Sequence, residues 1–287
     1  RLNEIFKKYN TSGMFYAHAS VGTLHVRPVL NMKSDRDIKN MRSISEEAFE
    51  MVKNYKGSHS GEHGDGIVRS EFHEMMFGKN ITNAFEEIKD TFDNKNLLNP
   101  GKIVRPFKSN ERSLMRYKSD YQTENISTHY DWSNWGQFSD AIEMCNNNGA
   151  CRKLDSGVMC PSYRVTKEEK DLVRGRANTL RLALSNQLPE GSFASKEMYE
   201  TMELCVSCKA CQRECPMSVD MAKMKSEFLS HYYKKFSMRI KDKIISDMPR
   251  LIWLYKIVNP MINKIKNFPI ISTIIEKFGF ATQRSLP

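Results

Sequence analysis

The stretch "CVSCKACQRECP", residues 205–216, holds four cysteines and decides how the second half of the chain folds. Cys205, Cys208 and Cys211 follow one another at three-residue steps, and Cys215 stands directly before a proline. Cysteines at this spacing can aim three thiolates at one cubane from a single tight turn, and a proline-linked cysteine completes the motif of bacterial iron-sulfur proteins. We therefore expect a 4Fe-4S site on a small cysteine-bearing domain.

A second cysteine group lies upstream and is similar to a degenerate copy of the first. Cys145, Asn148 and Cys151 repeat the three-residue steps, with asparagine at the middle position, and Cys160 precedes a proline as Cys215 does. In two-cluster ferredoxins the cysteine before proline ligates the other cluster. The expected division is a complete 4Fe-4S set of Cys205, Cys208, Cys211 and Cys160, and a second set of Cys145, Cys151 and Cys215 with Asn148 at the missing-cysteine position.

The second set lacks a fourth thiolate, so alternatives stay open for it. It predicts a three-iron cluster, a four-iron cluster with a non-cysteine ligand, or no cluster. In the competing division, Cys205, Cys208, Cys211 and Cys215 hold one cluster and the other three cysteines are buried thiols. Zinc is disfavoured at the cysteines, because structural zinc sites usually use two separated cysteine pairs.

The net charge of +10 is concentrated in the tail, where eleven basic residues and three acidic residues follow His231. The apolar stretches "LIWLYKIV" and "FPIISTIIEKFGF" within this tail predict amphipathic helices broken at Pro260 and Pro269. Such a tail suits a membrane surface, a partner, or docking on another domain. Because the charge lies away from the cysteines and no zinc-finger or RNA-binding signature occurs, we expect no nucleic-acid function.

The pattern of elements predicts two domains. Residues 14–30 are β-formers around one glycine, residues 35–56 form an amphipathic helix, and a second helix follows with apolar positions from Ile81 to Phe92. These elements indicate an α+β domain. The sequence around the cysteines predicts helices. The expected organisation is a first domain at 1–106, a linker at 107–138, an all-α iron-sulfur domain at 139–232 and a basic amphipathic tail at 233–287.

The start of the chain and its cysteines bear on where the protein works. The sequence begins at Arg1 without an apolar leader, and no run of 18 apolar residues predicts a membrane span. Cysteines at metal-ligand spacing favour a reducing compartment over disulfides. We therefore expect a fragment of a longer cytoplasmic protein, with a tail suited to peripheral contact at the inner membrane face.

Histidines and carboxylates in the first domain suggest a further metal site. His18 and His25 are an odd number of residues apart and would face opposite sides of one straight strand, but a turn or bulge at Gly22 lets both face one point. The glycine-rich loop "GEHGDG" offers Glu62 and His63, followed by Asp65. A lone histidine on a strand is more often structural. Two histidines and a carboxylate, however, form a catalytic-type site with open positions.

Three motifs in order carry a family resemblance. The segments "YAHASVGTLHVRP", "SGEHGDGIVRSEF" and "LLNPGKIV", followed by the two cysteine groups, resemble FAD-linked oxidases of the vanillyl-alcohol oxidase type in their C-terminal half. Within that family the chain looks like the D-lactate and D-2-hydroxyglutarate dehydrogenases that carry a fused iron-sulfur domain. The resemblance covers residues 12–287 and implies an α+β flavin-oxidase C-terminal domain followed by a small all-α ferredoxin-like domain.

Residue by residue, the resemblance implies a divalent metal, zinc or manganese, on His18, His25 and Glu62, with His63 as the base. It also implies FAD contacts at Asn99 and Lys102, while an N-terminal domain absent from this sequence holds most of the FAD. The sequence departs from the family pattern at three turn positions, which are Ser20, Val21 and Thr23 where Gly, Asp and Asn are usual.

These residues together predict oxidation of a D-2-hydroxy acid of the D-lactate or D-2-hydroxyglutarate class. Arg69 is expected to pair with a substrate carboxylate or, equally, to form a surface salt bridge. Electrons would pass from FAD through the clusters to a quinone, a cytochrome or a carrier protein. The alternative is a non-catalytic electron-transfer subunit that uses the iron-sulfur domain as a wire.

Overall fold

The computed structural model describes residues 1–283, and the chain divides into two units between Tyr121 and Gln122. The first unit contains one antiparallel hairpin, formed by β1 (Gly13–His18) and β2 (Thr23–Pro28). Its helices are α1 (Leu2–Lys8), α2 (Asp35–Asn54), α3 (Gly66–Arg69), α4 (His73–Phe77) and α5 (Lys79–Phe92), with 3-10 turns at Ser70–Phe72 and Arg112–Leu114. The first unit thus combines helices with a two-stranded sheet.

Helix α2 shows how the sequence sets its own ends. Ser34 caps the N-terminus by accepting a hydrogen bond from the backbone N–H of Asp37 at 3.4 Å. The helix ends before Gly57, whose N–H donates to the carbonyl of Val52 at 2.9 Å. The small core beside it contains Phe6, Ile38, Ile44 and Phe72, all buried.

Apolar side chains of the first unit remain uncovered by this chain. On α5, the apolar face predicted from the sequence is exposed, with 84% of Phe92 and 59% of Ile88 accessible. The hairpin likewise exposes Phe15 and Tyr16. Exposed large apolar side chains of this kind can form an interaction surface where they are contiguous.

The second unit has helices and connecting loops and no strand among its described residues. Its helices are α6 (Phe138–Glu143), α7 (Pro161–Thr166), α8 (Val173–Leu184), α9 (Lys196–Glu203), α10 (Ala210–Glu214), α11 (Met221–Lys235), α12 (Ile240–Asp247), α13 (Ile252–Ile265) and α14 (Pro269–Lys277). Four 3-10 turns connect them, at Ser133–Trp135, Ala150–Arg152, Glu169–Asp171 and Ser192–Ala194. The core centres on fully buried Leu172, Leu180, Leu184, Met202 and Phe228.

The segment predicted as a linker, residues 107–138, spans the boundary between the units. Arg112 donates to the backbone carbonyl of Met32 at 2.8 Å, within the first unit. Trp132 is buried in the core of the second unit, where its indole N–H donates to the Glu227 carboxylate at 3.1 Å. Although its composition is polar, the segment therefore has two parts, and each part packs within a different unit.

The tail is helical, but the prediction that Pro260 breaks a helix is wrong. Pro260 lies inside the continuous helix α13, whereas Pro269 opens α14 as its first residue. A proline inside a helix removes one backbone hydrogen bond and leaves the others, so a helix with enough packing can run through it. Within the described residues, no helix is both long and apolar enough to cross a bilayer.

Candidate functional site

The hairpin places His18 and His25 on one face of the sheet. The register pairs His18 with Thr23 and Tyr16 with His25. Paired residues of an antiparallel ladder project to the same side, and residues two apart in one strand also share a side. Because Thr23 and His25 are two apart, both histidines lie together, and their ring centroids are 5.0 Å apart.

The glycine-rich loop brings Glu62 to this face. Oε1 of Glu62 lies 3.4 Å from Nε2 of His18 and 3.1 Å from Nε2 of His25. A side chain at Gly61 would bring its Cβ within 2.7 Å of the Thr23 methyl group, so only glycine allows the loop this close to β2. The ligating atoms of the two histidines and Glu62 all lie within 4.8 Å of one another.

His63 stands beside this cluster. Its Nε2 lies 3.0 Å from Oε1 of Glu62, and its ring centroid is 5.3 Å from that of His25. The His25 side chain is 22% exposed and that of Glu62 is 38% exposed. Two imidazoles and a carboxylate that converge at an accessible point fit a divalent metal with open coordination positions. The donor set therefore suits the metal predicted from the sequence.

The remaining predicted residues of the first unit lie nearby in sequence but have other contacts. Arg69 donates from its guanidinium to the carbonyl of Gly64 at 3.2 Å, which ties it to the glycine-rich loop. Lys102 donates to the side-chain oxygen of Asn99 at 3.3 Å. Asn99 and Lys102 line an open cavity together with apolar Phe85 and Ile88.

Four cysteines line one small cavity in the second unit. They are Cys160, Cys205, Cys208 and Cys211, and thus include the proline-linked cysteine of the upstream group. Burial raises the pKa of Cys160 to about 12, so this thiol keeps its proton at neutral pH unless a metal replaces it. Four sulfur donors around one cavity suit an iron-sulfur cluster.

Two helices begin at these sulfur atoms. Helix α8 begins at Val173, and the backbone N–H of Val173 hydrogen-bonds to the sulfur of Cys160. Helix α11 begins at Met221, whose N–H hydrogen-bonds to the sulfur of Cys211. The first N–H groups of a helix have no partner within the helix and favour negative charge. They can therefore stabilise thiolate ligands.

Glu214 links the upstream loop to the second cysteine motif. Its carboxylate, at the end of α10, accepts hydrogen bonds from the backbone N–H groups of Val158 at 2.9 Å and Met159 at 3.0 Å. These hydrogen bonds lower the pKa of the Glu214 carboxyl, and the one from Val158 has the largest effect. Glu214 thereby fixes the loop that leads directly into Cys160.

The other predicted cluster residues lie elsewhere in the second unit. Cys151 is buried, and the Cys145 thiol is close enough to contribute to its raised pKa, behind the larger effect of burial. Cys215 donates its backbone N–H to the carbonyl of Cys211 at 2.9 Å. Asn148 is exposed and folds its amide onto its own loop, donating to Asn146 at 2.6 Å and accepting from the N–H of Ala150 at 2.8 Å.

Sequence reasoning missed several residues that the fold places at these sites. Glu214 and Lys225 contact the backbone of the cysteine segments, and Lys225 donates to the carbonyl of Cys205 at 2.6 Å. His59 and His73 form a buried cluster with Asp65. Asp65 and Glu214 lie within recognised motifs, but the spacing of those motifs gave no signal for their roles or for the other residues.

Comparison with known proteins identifies both units. Residues 1–103 match the family model of FAD linked oxidases, C-terminal domain, and residues 141–219 match that of the 4Fe-4S dicluster domain. The resemblance noted from the sequence is therefore confirmed. None of the solved structures matches the chain.

Some curated relatives match over most of this chain and others over about a third of it. A D-2-hydroxyglutarate dehydrogenase of Pantoea ananatis is 31% identical over 82% of this chain and 26% of its own length. One of Haemophilus influenzae is 30% identical over 85% of this chain and 27% of its own length. A D-lactate dehydrogenase of Archaeoglobus fulgidus is 32% identical over 37% of this chain and 23% of its own length. The chain thus spans about a quarter of the length of the relatives that it matches.

Proposed function

Because the chain joins an FAD-linked oxidase C-terminal domain to a 4Fe-4S dicluster domain, we propose that it is part of a dehydrogenase that oxidises a D-2-hydroxy acid. The observation that carries this proposal is the convergence of His18, His25 and Glu62 within 4.8 Å, with His63 beside them. The names of the relatives support D-2-hydroxyglutarate as the first substrate to test and D-lactate as the second.

Each residue of the cluster has a role in this reaction. His18, His25 and Glu62 would hold a divalent metal, zinc or manganese, and that metal would supply Lewis-acid chemistry that lowers the pKa of the substrate hydroxyl. His63 takes the hydroxyl proton on Nε2, which is the atom that faces Glu62 at 3.0 Å. Arg69 lies on the helix that follows the loop and is available to pair with a substrate carboxylate.

The second unit supplies the electron exit. When bound, FAD would supply acceptance of the substrate's α-hydrogen together with two electrons, as a hydride, and iron-sulfur clusters would supply one-electron transfer. Cys160, Cys205, Cys208 and Cys211 hold a 4Fe-4S cluster in the cavity that they line. Cys145, Cys151 and Cys215 serve a second site. The acceptor is a quinone, a cytochrome or a carrier protein.

The deciding experiment uses the full-length protein. It is assayed with D-2-hydroxyglutarate and D-lactate and an artificial electron acceptor, and the variant His63→Asn is compared with the wild type. Turnover that falls in the variant, while its metal and iron contents are unchanged, supports the proposal. A wild-type protein that oxidises neither acid but still exchanges electrons between two added carriers supports the alternative of a non-catalytic electron wire.

We also propose that the basic tail contacts a membrane surface. Trp253, Ile257 and Met261 recur at four-residue steps on α13 and are each at least 60% exposed. Lysines flank this stripe, which is the pattern of helices that lie in an anionic interface. Co-sedimentation with anionic vesicles tests the proposal, because Trp253→Glu should weaken binding. Equal sedimentation of both proteins would instead favour docking on another protein domain.

A further inference from the structure

A second cluster of metal-ligand side chains lies inside the first unit, apart from the site above. His59 belongs to the loop after α2, Asp65 stands before α3, and His73 is the first residue of α4. Nε2 of His73 lies 2.7 Å from Oδ2 of Asp65, and Nε2 of His59 lies 3.7 Å from Oδ1 of Asp65. One ligand atom from each of the three residues lies within 4.8 Å of the others.

The two histidines of the cluster are buried and the Asp65 side chain is 18% exposed, in contrast to the more accessible His18, His25 and Glu62 site. The side chain of His59 is 0% exposed and that of His73 is 4% exposed. Aromatic rings surround the imidazoles, since the ring centroids of Phe49 and Phe77 lie 5.2 Å and 5.8 Å from that of His59. Polar atoms in such surroundings are costly unless they have partners.

Several atoms of the cluster have no hydrogen-bond partner within the described residues. They are Nδ1 of His73 and Oδ1 of Asp65, whereas the nitrogens of the His59 ring make no hydrogen bond of ordinary geometry and contact only the backbone of Arg69. Nε2 of His59 and Oδ1 of Asp65 face each other at a separation too long for a hydrogen bond. Metal-nitrogen and metal-oxygen bonds of about 2.1 Å at a tetrahedral angle hold two ligand atoms about 3.4 Å apart. The observed 3.7 Å is close to that value.

We propose that His59, Asp65 and His73 bind a second divalent cation of the zinc class, which has a structural role. Nitrogen and carboxylate donors in this ratio suit zinc, and burial closes the site against substrate. The cation satisfies Oδ1 of Asp65 and Nε2 of His59, which faces it. This inference stands on the buried cluster alone and does not depend on the proposed dehydrogenase activity.

Because of the position of Asp65, a bound cation would also affect the neighbouring site of His18, His25 and Glu62. Asp65 follows Glu62 and His63 closely on the same glycine-rich loop. A cation that joins Asp65 to His73 on α4 and to His59 at the start of the loop fixes both ends of the segment that carries Glu62. His59, Asp65 and His73 are thus positioning residues. Loss of the buried cation should weaken metal binding by His18, His25 and Glu62, which form the half-exposed site.

The test measures metals in the full-length protein by elemental analysis and zinc X-ray absorption. His25→Asn disrupts the half-exposed site, and the expected result is one remaining zinc per chain with nitrogen and oxygen ligands and no sulfur. Adding His73→Asn should remove that zinc. A His25→Asn protein whose sulfur-free zinc is absent after supplementation overturns the proposal. So does a double variant that keeps this zinc in full.

A second measurement covers the case in which the double variant does not fold. In the His25→Asn protein, a chelator should lower the unfolding temperature of the first unit, and added zinc should restore it. The variant His129→Asn, which lies in the second unit, is the matched control and should leave the metal content unchanged. An unfolding temperature of the His25→Asn protein that responds neither to chelator nor to zinc overturns the proposal.

Discussion

Nε2 of His25 lies 3.1 Å from Oε1 of Glu62, across the contact between strand β2 and the glycine-rich loop. The same carboxylate oxygen lies 3.0 Å from Nε2 of His63. Glu62 therefore stands between a proposed metal ligand and the proposed base. This arrangement makes Glu62 the residue whose loss should disturb metal binding and proton transfer together.

If Glu62 is a metal ligand as proposed, Glu62→Gln should reduce the divalent metal content of the full-length protein and the proposed oxidation of D-2-hydroxy acids. Loss of an outer-shell partner typically costs about 10–100-fold in metal affinity, and loss of a direct ligand should cost at least as much. Metal titration and steady-state kinetics measure both effects. Glu87→Gln, at an exposed position of α5, is the matched control. Metal affinity that is equal in the two variants would remove Glu62 from the ligand set.

Gly61→Ala should also weaken metal binding, although Gly61 is not a ligand. The new Cβ would stand 2.7 Å from the Thr23 methyl group and push the loop away from β2. Thr23→Ala removes that methyl group, so the double variant should recover most of the affinity lost in Gly61→Ala. Metal titration of the two single variants and the double variant measures this coupling. Additive effects would show that loop contact with Thr23 does not set the site.

Cys160→Ser and Cys215→Ser distinguish the two divisions of the cysteines. If Cys160 completes the set of Cys205, Cys208 and Cys211, Cys160→Ser should destabilise the 4Fe-4S cluster in the cavity. Cys215→Ser should then affect only the second site. Iron and sulfide analysis of anaerobic protein, with electron paramagnetic resonance, measures the loss. Full retention of four irons in Cys160→Ser together with complete loss in Cys215→Ser would favour the single-cluster alternative.

Lys225→Met should lower the reduction potential of the 4Fe-4S cluster proposed for the cavity that Cys160, Cys205, Cys208 and Cys211 line. The ammonium group donates to the carbonyl of Cys205 at 2.6 Å, and a nearby positive charge favours the reduced cluster because reduction adds negative charge. The expected shift is tens of millivolts, where about 59 mV is a tenfold change in a one-electron equilibrium. A redox titration followed by electron paramagnetic resonance measures it. Lys234→Met, at an exposed position near the end of α11, should leave the potential unchanged.

Glu227→Gln should destabilise the second unit by roughly 2–4 kcal/mol, because the buried carboxylate accepts several hydrogen bonds that an amide cannot all accept. The donors are the backbone N–H groups of His129 at 2.9 Å and Tyr130 at 3.0 Å and the indole of Trp132. Burial alone would raise the pKa of Glu227, but these hydrogen bonds outweigh it and lower the pKa.

This lowered pKa also sets the pH dependence. A carboxyl whose folded pKa is below its unfolded value stabilises the protein above the unfolded value of 4.5 and loses that contribution as the pH falls through the folded pKa. The unfolding temperature of the wild type should therefore fall more steeply below pH 4.5 than that of Glu227→Gln. Circular dichroism measures both curves, with exposed Glu200→Gln as the control. Parallel curves for wild type and Glu227→Gln would contradict the role of this carboxylate.

The sequence by itself determined the types of residue at each site and the resemblance of each unit to a known domain family. The spacing of the cysteines, the histidine pair and the glycine-rich loop predicted the candidate sites. They could do so because a motif within one turn or one loop constrains its own side chains locally. The resemblance built on these motifs is confirmed by the family matches over residues 1–103 and 141–219. The sequence also predicted helix α2, since the apolar residues that recur at helical spacing and the residues at its ends lie within one segment.

Only the tertiary structure decided which distant segments meet. The hairpin register, rather than the spacing of His18 and His25, puts both imidazoles on one face. Glu214 holds the loop before Cys160, and burial turns His59 and His73 into a cluster around Asp65. The helix that runs through Pro260 is another such outcome. These contacts join residues far apart in the chain, and they form only when packing excludes water and repays the conformational entropy lost in ordering them.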